Sequence, residues 1–272
     1  MKKLLRYVLM PVAVGYFALC SYMFIIQRDL IYHGTDERPV LVQAGLQGFS
    51  ETTVPTADGL DLLAWEAPAA EGKPTILFLH GNAGTLADKA EKVRQLNEAG
   101  YGILLLSWRG FSGNKGDPTE DGLYADARAG LDYLYVRGKT NHDVVAYGES
   151  LGSGVAAHLA YTEAQAGRPL KALVLYTPYT TLSAAGEVQY WYLPVKWLTL
   201  DKYDTLSIID KVKTPVLVLH GTDDETIPLQ QGKDVYTAAA WPKRLQIFQG
   251  GRHNDLYDFG AAAAIDAFLA DR

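Results

Sequence analysis

The chain has 272 residues, enough for one large domain or two small ones, and its 48% hydrophobic content supplies a sizeable core. A net charge of −6, with no basic cluster along the chain, argues against a nucleic-acid partner. The single cysteine, Cys20, excludes an intrachain disulfide and a cysteine-based metal site.

Residues 7–26 run without a charge. As a helix this stretch is about 30 Å long, the thickness of a hydrocarbon core. Pro11 and Gly15 interrupt it, and membrane helices tolerate both. Lys2, Lys3 and Arg6 precede it, so the positive-inside rule places the N-terminus in the cytoplasm and the rest of the chain on the far side of the membrane. A cleaved signal peptide competes with this reading, but its apolar region is normally shorter and no small-residue cleavage site follows. Lipid attachment at Cys20 is disfavoured by the bulk of Leu19. A buried helix of a soluble domain fits poorly because the stretch has no polar face. Residues 1–27 are therefore expected to form an anchor, and 28–272 the folded domain.

After the anchor, residues 48–54 and 60–65 flank Ala57-Asp58-Gly59, which predicts a hairpin. Buried-strand runs follow at 75–79, 102–106, 144–147, 172–175, 216–219 and 245–248. Helical stretches such as 86–99 and 123–136 lie between them. An antiparallel start followed by strand-helix repeats predicts an α/β fold, a mostly parallel sheet with helices on both faces. Residues 179–213 break the rhythm and are rich in aromatics (Tyr190, Trp191, Tyr192, Trp197, Tyr203). Two readings are open, a short lid over the site or helices packed on the sheet; the length of the insertion favours the lid.

Ligands of open parallel sheets bind beyond the carboxyl ends of the strands. Gly148-Glu149-Ser150-Leu151-Gly152 sits there, between a strand and the helical run from Ser153 to Ala160. A G-x-S-x-G in that setting is a nucleophile elbow, with glycines where only small residues fit. His220-Gly221-Thr222-Asp223-Asp224 and Gly250-Gly251-Arg252-His253 follow later strands, so serine, acid and histidine come in the chain order of hydrolases with this elbow. Ser150 is the candidate nucleophile, and His253 the candidate base that takes its proton. Asp223, Asp224 and Glu225 are adjacent, and only one can orient the imidazole. The oxyanion of an acyl-transfer intermediate needs N–H donors. One is the backbone N–H of Leu151, at the positive end of a helix. The second is expected from Asn82, in the loop after the 75–79 strand. His80 and His220 lie in His-Gly turns and read as structural; His33, His142 and His158 read as surface or helix residues. Arg109 and Asp255 are expected to brace loops. No cofactor and no metal ion is expected.

With these pieces in order the chain resembles the α/β-hydrolases, and within them the ABHD-type serine hydrolases that carry an N-terminal membrane helix. The matching segments are Gln27-Arg28-Asp29-Leu30-Ile31-Tyr32, His80-Gly81-Asn82-Ala83-Gly84 and Trp108-Arg109-Gly110-Phe111-Ser112-Gly113. Gly148 to Gly152, His220 to Asp224 with Ile227-Pro228, and His253-Asn254-Asp255 complete them. The resemblance implies Ser150 as nucleophile, His253 as base and, among the three acids, Asp224. One departure is Ser107-Trp108, where the family usually has Asp-Tyr; this bears on substrate choice more than on mechanism. The expected activity is hydrolysis of carboxylic esters or thioesters through an acyl-enzyme, with a small-molecule or lipid-like acyl substrate met at the membrane. Amide or peptide cleavage by the same triad, and a non-catalytic binding protein that keeps the fold, are the alternatives.

Overall fold

The computed structural model describes residues 5–271. Lys2 and Lys3, and the side chain of Arg6, on which the expected membrane orientation rests, lie outside that description. A π-helical turn, Leu5–Leu9, leads into helix α1, Met10–Ile31. Within Tyr7–Ile31 an 18-residue window has a mean hydropathy of 2.0 and none of it is packed inside the protein, so the helix is long and apolar enough to cross a membrane. The helix does not end at residue 27. It continues for one more turn, and that turn is docked on the folded domain.

Among the described residues, eight strands form one sheet: β1 Ser50–Pro55, β2 Asp61–Ala67, β3 Thr75–Leu79, β4 Gly102–Leu106, β5 Val144–Glu149, β6 Ala172–Tyr176, β7 Val216–Gly221 and β8 Lys243–Phe248. Their spatial order is β1-β2-β4-β3-β5-β6-β7-β8. β1 and β2 pair antiparallel around Gly59, whose φ of 86° suits the turn, and β2 is antiparallel to β4. From β4 to β8 every pairing is parallel.

The central strands are buried along their whole length because both faces are covered. Leu77, Leu104, Ala146 and Leu173 point to one face. There they meet Leu123, Ala127 and Leu131 of α3, Glu120–Val136, and Val155 and Leu159 of α4, Leu151–Gln165. Ile76, Phe78, Val145 and Val174 point to the other. They meet Val93 and Leu96 of α2, Ala90–Glu98, and Ile265, Phe268 and Leu269 of the C-terminal helix Ala261–Ala270. Each leucine so buried stabilises the fold by about 2 kcal/mol. Two helices begin differently from their apolar pattern because their ends are set by caps. α3 starts a turn before Leu123, where the Thr119 hydroxyl accepts from the Gly122 N–H at 3.0 Å. The 86–99 stretch opens as a 3-10 turn, Leu86–Lys89, closed by a Thr85–Asp88 capping box.

The 179–213 segment divides in two. Helices α5, Leu182–Gln189, and α6, Val195–Leu198, lie beyond the carboxyl end of the sheet beside α1. Tyr203, Ile209 and Val212 are instead fully buried in the α4 face of the core.

Candidate active site

Ser150 is the one residue between β5 and α4, with φ 50° and ψ −116°. A positive φ is rare for serine and marks stored backbone strain. The turn is tight because the elbow is wedged between neighbours. A Cβ on Gly152 would fall inside the Leu79 carbonyl, and one on Gly148 inside the Gly152 carbonyl. The Ser150 N–H donates to the Tyr176 carbonyl at 2.9 Å, which fixes the turn to β6.

The strand-end residues meet around this serine. Ser150 Oγ lies 2.9 Å from His253 Nε2, and His253 Nδ1 lies 2.8 Å from Asp224 Oδ2. Burial alone would raise the Asp224 carboxyl, but hydrogen bonds from the His220 side, from His253 and from the Ile227 N–H hold it well below the usual range. It is therefore a carboxylate that only accepts, so Nδ1 carries the proton and Nε2 is left to accept from the serine hydroxyl. The other Asp224 oxygen accepts from the Thr226 and Ile227 N–H groups at 2.9 and 2.8 Å. The acid is thus aimed from both ends. Asp223 accepts from the Thr222 hydroxyl on the surface, and Glu225 is exposed. Neither faces the imidazole.

The loop after β3 lies against the elbow, close enough that a Cβ on Gly81 would meet Ser150 Cβ at van der Waals distance. His80 and His220 are fully buried, and each bonds a loop carbonyl, of Gly81 and of Ile227, both at 2.8 Å. Burial pushes His80 down to about 3, with Lys89 nearby adding to it, so its ring is neutral. Trp108 does not line the site. It is fully buried and donates from Nε1 to the His80 carbonyl at 3.1 Å, so the departure at 107–108 braces the loop instead of shaping a pocket. Asn82 and Leu151 both border the cavity beside Ser150. Leu151 opens α4, so its N–H has no acceptor inside the helix. Asn82 is gripped by the anchor: its side chain donates to the Ile31 carbonyl at 3.0 Å, and its own carbonyl accepts from the His33 N–H at 2.8 Å. Arg109 ties Asp126 to Asp58, and Asp255 accepts from the Arg252 N–H beside His253. His158 sits in α4, stacked on Tyr124.

Two features have no counterpart in the sequence reading. Behind the elbow, Glu149 is buried and paired with Lys92 at 2.8 Å and Lys89 at 3.2 Å. Burial would raise its carboxyl, but the two ammonium groups hold it down at about 2. The second is the wall of the cavity. A space of about 180 Å³ runs from Ser150 between the last turns of α1 and the α5–α6 segment. Met23, Leu30, Leu182, Leu193, Val195 and Leu198 make it apolar. Gln27 closes the join, donating to the Leu198 carbonyl and accepting from the Leu200 N–H at 2.7 Å. The next residue, Arg28, and one turn further on the Tyr32 hydroxyl both bond the buried Asp201 carboxylate. The polar run from Gln27 to Asp29 after twenty apolar residues was the available signal that the helix does more than tether.

The sheet order and the serine, histidine and aspartate gathered at its carboxyl end define a hydrolase-type α/β protein. Residues 74–206 match the family described as alpha/beta hydrolase fold. An uncharacterised protein of Mycobacterium tuberculosis (strain CDC 1551 / Oshkosh) is 37% identical over 238 residues, covering 86% of this chain and 83% of the relative. Lysophosphatidylserine lipase ABHD12 of Bos taurus is 31% identical over 235 residues, covering 75% of this chain but 59% of its own length. A solved Pyrococcus furiosus esterase aligns with a TM-score of 0.67 at 16% identity, over 89% of this chain and 98% of that one, which is a likeness of fold. The chain belongs to the α/β-hydrolase superfamily and resembles its ABHD-type members.

Proposed function

We propose that the protein is a membrane-anchored serine hydrolase of single-chain lipid esters. The observation that carries this reading is the unbroken hydrogen-bonded line Ser150–His253–Asp224, with Ser150 in the wall of an apolar cavity. Ser150 Oγ attacks the ester carbonyl carbon while His253 Nε2 takes its proton, and Asp224 stabilises the imidazolium that forms. The backbone N–H groups of Leu151 and Asn82 receive the oxyanion; one such donor is worth roughly 3 kcal/mol of barrier. Collapse expels the alcohol, which takes the proton back from His253 and leaves an acyl-serine. Water then repeats the sequence and releases the acid. The apolar lining fits an alkyl chain, the adjoining helix is long and apolar enough to hold the site at a membrane, and the lipase name carried by the bovine relative points the same way.

A fluorophosphonate probe tests the nucleophile. Wild-type protein is expected to label and Ser150→Ala to remain dark; equal labelling of the two, or none in folded wild type, would falsify the reading. Turnover of p-nitrophenyl esters of increasing length is expected to favour longer acyl chains, and a strict preference for acetate would remove the lipid part of the proposal.

A further inference from the structure

The α5–α6 segment carries an apolar surface that the catalytic reading does not use. Trp191 is 80% exposed, Trp197 84%, and Tyr192 and Leu200 are about half exposed. Four such groups within ten residues are unusual for a surface that meets only water. The backbone of the segment lies against α1. The Tyr16 hydroxyl donates to the Tyr192 carbonyl at 2.9 Å, and Gln27 holds Leu198 and Leu200. Tyr16 and Gln27 are separated by eleven helical positions, about 16 Å along the axis. The segment therefore follows α1 well below the level of Arg28, past exposed Phe17, Tyr22, Phe24 and Ile25. Whatever solvent surrounds that part of the helix also surrounds the segment.

We propose that residues 188–200 are seated in the lipid leaflet beside α1, so that the cavity between them takes its acyl chain sideways from the membrane. The proposal rests on reading α1 as a membrane span and deepens the assignment of a lipid ester as substrate. Tryptophan and tyrosine are favoured where hydrocarbon meets headgroups, having an apolar body and a polar edge. A carbonyl at that depth needs a partner from the protein, and the Tyr16 hydroxyl supplies one for Tyr192. Lys196 is exposed on the same segment, where an ammonium on a long stem reaches anionic headgroups, while the Lys202 ammonium donates to the Lys196 and Thr199 carbonyls. The cavity is walled by Met23 and Leu30 on one side and Leu193 and Val195 on the other, so a chain passing between them exchanges one apolar surround for another.

The full chain, reconstituted in phosphatidylcholine vesicles, allows a test that does not depend on catalysis. The protein has five tryptophans. Trp65 and Trp108 are fully buried, and Trp241 stands just before β8, at the amino end of the parallel strands and away from the site. Lipids brominated in mid-chain are expected to quench wild-type emission, and a Trp191→Phe/Trp197→Phe variant is expected to lose about half or more of the quenched fraction. An unchanged quenched fraction overturns the proposal. So does shielding that is independent of bromine but lost on dilution, which would assign the surface to a second copy of the chain. In a second arm, Trp191→Glu/Trp197→Glu is expected to slow hydrolysis of a vesicle-held monoacyl glycerol ester about tenfold while p-nitrophenyl acetate turnover stays within about twofold. Equal losses on both substrates count against the lipid seat. A quenching difference in protein whose Ser150 fails to label would sink the catalytic assignment alone.

Discussion

Serine is a poor nucleophile until a base stands ready, and the readiness of His253 depends on the carboxylate behind it. Asp224 accepts two backbone N–H groups on one oxygen and the imidazole on the other, so its charge and direction are both fixed. Asp224→Asn keeps the shape but offers the imidazole an amide, which favours the wrong tautomer. Its kcat on a short ester is expected to fall on the order of 10⁴-fold, against a change within about twofold for the surface residue Asp223→Asn. Steady-state turnover of the two variants decides the matter, and the reverse ranking would mean that the acid is misassigned. Glu149 supports the same turn from behind. Its folded-state carboxyl titrates near 2, below the ordinary value of 4.5, so an unfolded chain takes up this proton first as acid is added. The stability it confers is present in full above pH 4.5 and is lost as pH falls toward 2. Glu149→Gln removes that acid-sensitive contribution and leaves Lys92 buried without its main partner, a loss of roughly 3 kcal/mol at neutral pH. Urea unfolding across pH is expected to show a flatter acid limb for the variant, with Glu149→Gln/Lys92→Met recovering part of the loss. An acid limb identical to that of wild type would mean that this buried pair does not hold the elbow.

Among the elements, the elbow and the end of α1 answer to different constraints. The elbow tolerates no added atom where it touches β3, so Gly152→Ala is expected to cost about 3 kcal/mol or more, read as a lowered urea midpoint or loss of soluble protein. The end of α1 tolerates substitution, but it shapes the cavity. Leu30→Trp fills space between α1 and the α5–α6 segment and is expected to raise KM for long-chain esters about tenfold with little effect on acetate. Parallel losses on both would place Leu30 in folding instead of chain recognition. The first two strands were legible from the Asp58-Gly59 turn between them, and the central ones because each is a short apolar run between turn residues, which a two-faced sheet demands. The placement of Ser150, His253 and one acid at strand ends was legible too, since chain order and strand order together confine them. The choice among Asp223, Asp224 and Glu225 was not, because it depends on how one loop turns and on Thr226 and Ile227 claiming an oxygen. Nor was the role of α1: the contacts of Gln27 with Leu198 and Leu200, and of Arg28 with Asp201, bridge more than 170 positions. Pattern within a helix cannot report what lies across from it. The pairing of Glu149 with Lys92 was hidden for the same reason.

For the molecule as a whole, α1 and the site share one face. The carboxyl end of the sheet, the Asn82 loop and the α5–α6 segment all gather around the last turns of α1, and Trp241 stands at the opposite end of the sheet, just before β8. That geometry holds whichever side of the membrane the domain occupies. If α1 spans a membrane as proposed, charge sets the expected side: Lys2, Lys3 and Arg6 precede the apolar helix, and basic residues are retained on the cytoplasmic side. The domain from Arg28 onward is therefore expected on the opposite side from the N-terminus. Right-side-out vesicles should expose it to added protease, whereas inverted vesicles should protect it until detergent is added. Digestion from the inverted side alone would place the domain with the N-terminus, which a single span cannot do, and would turn α1 into a helix that enters one leaflet without crossing. Such a helix would still line the cavity with Met23 and Leu30, so esterase activity would survive the reversal, and only the compartment from which the substrate is drawn would change.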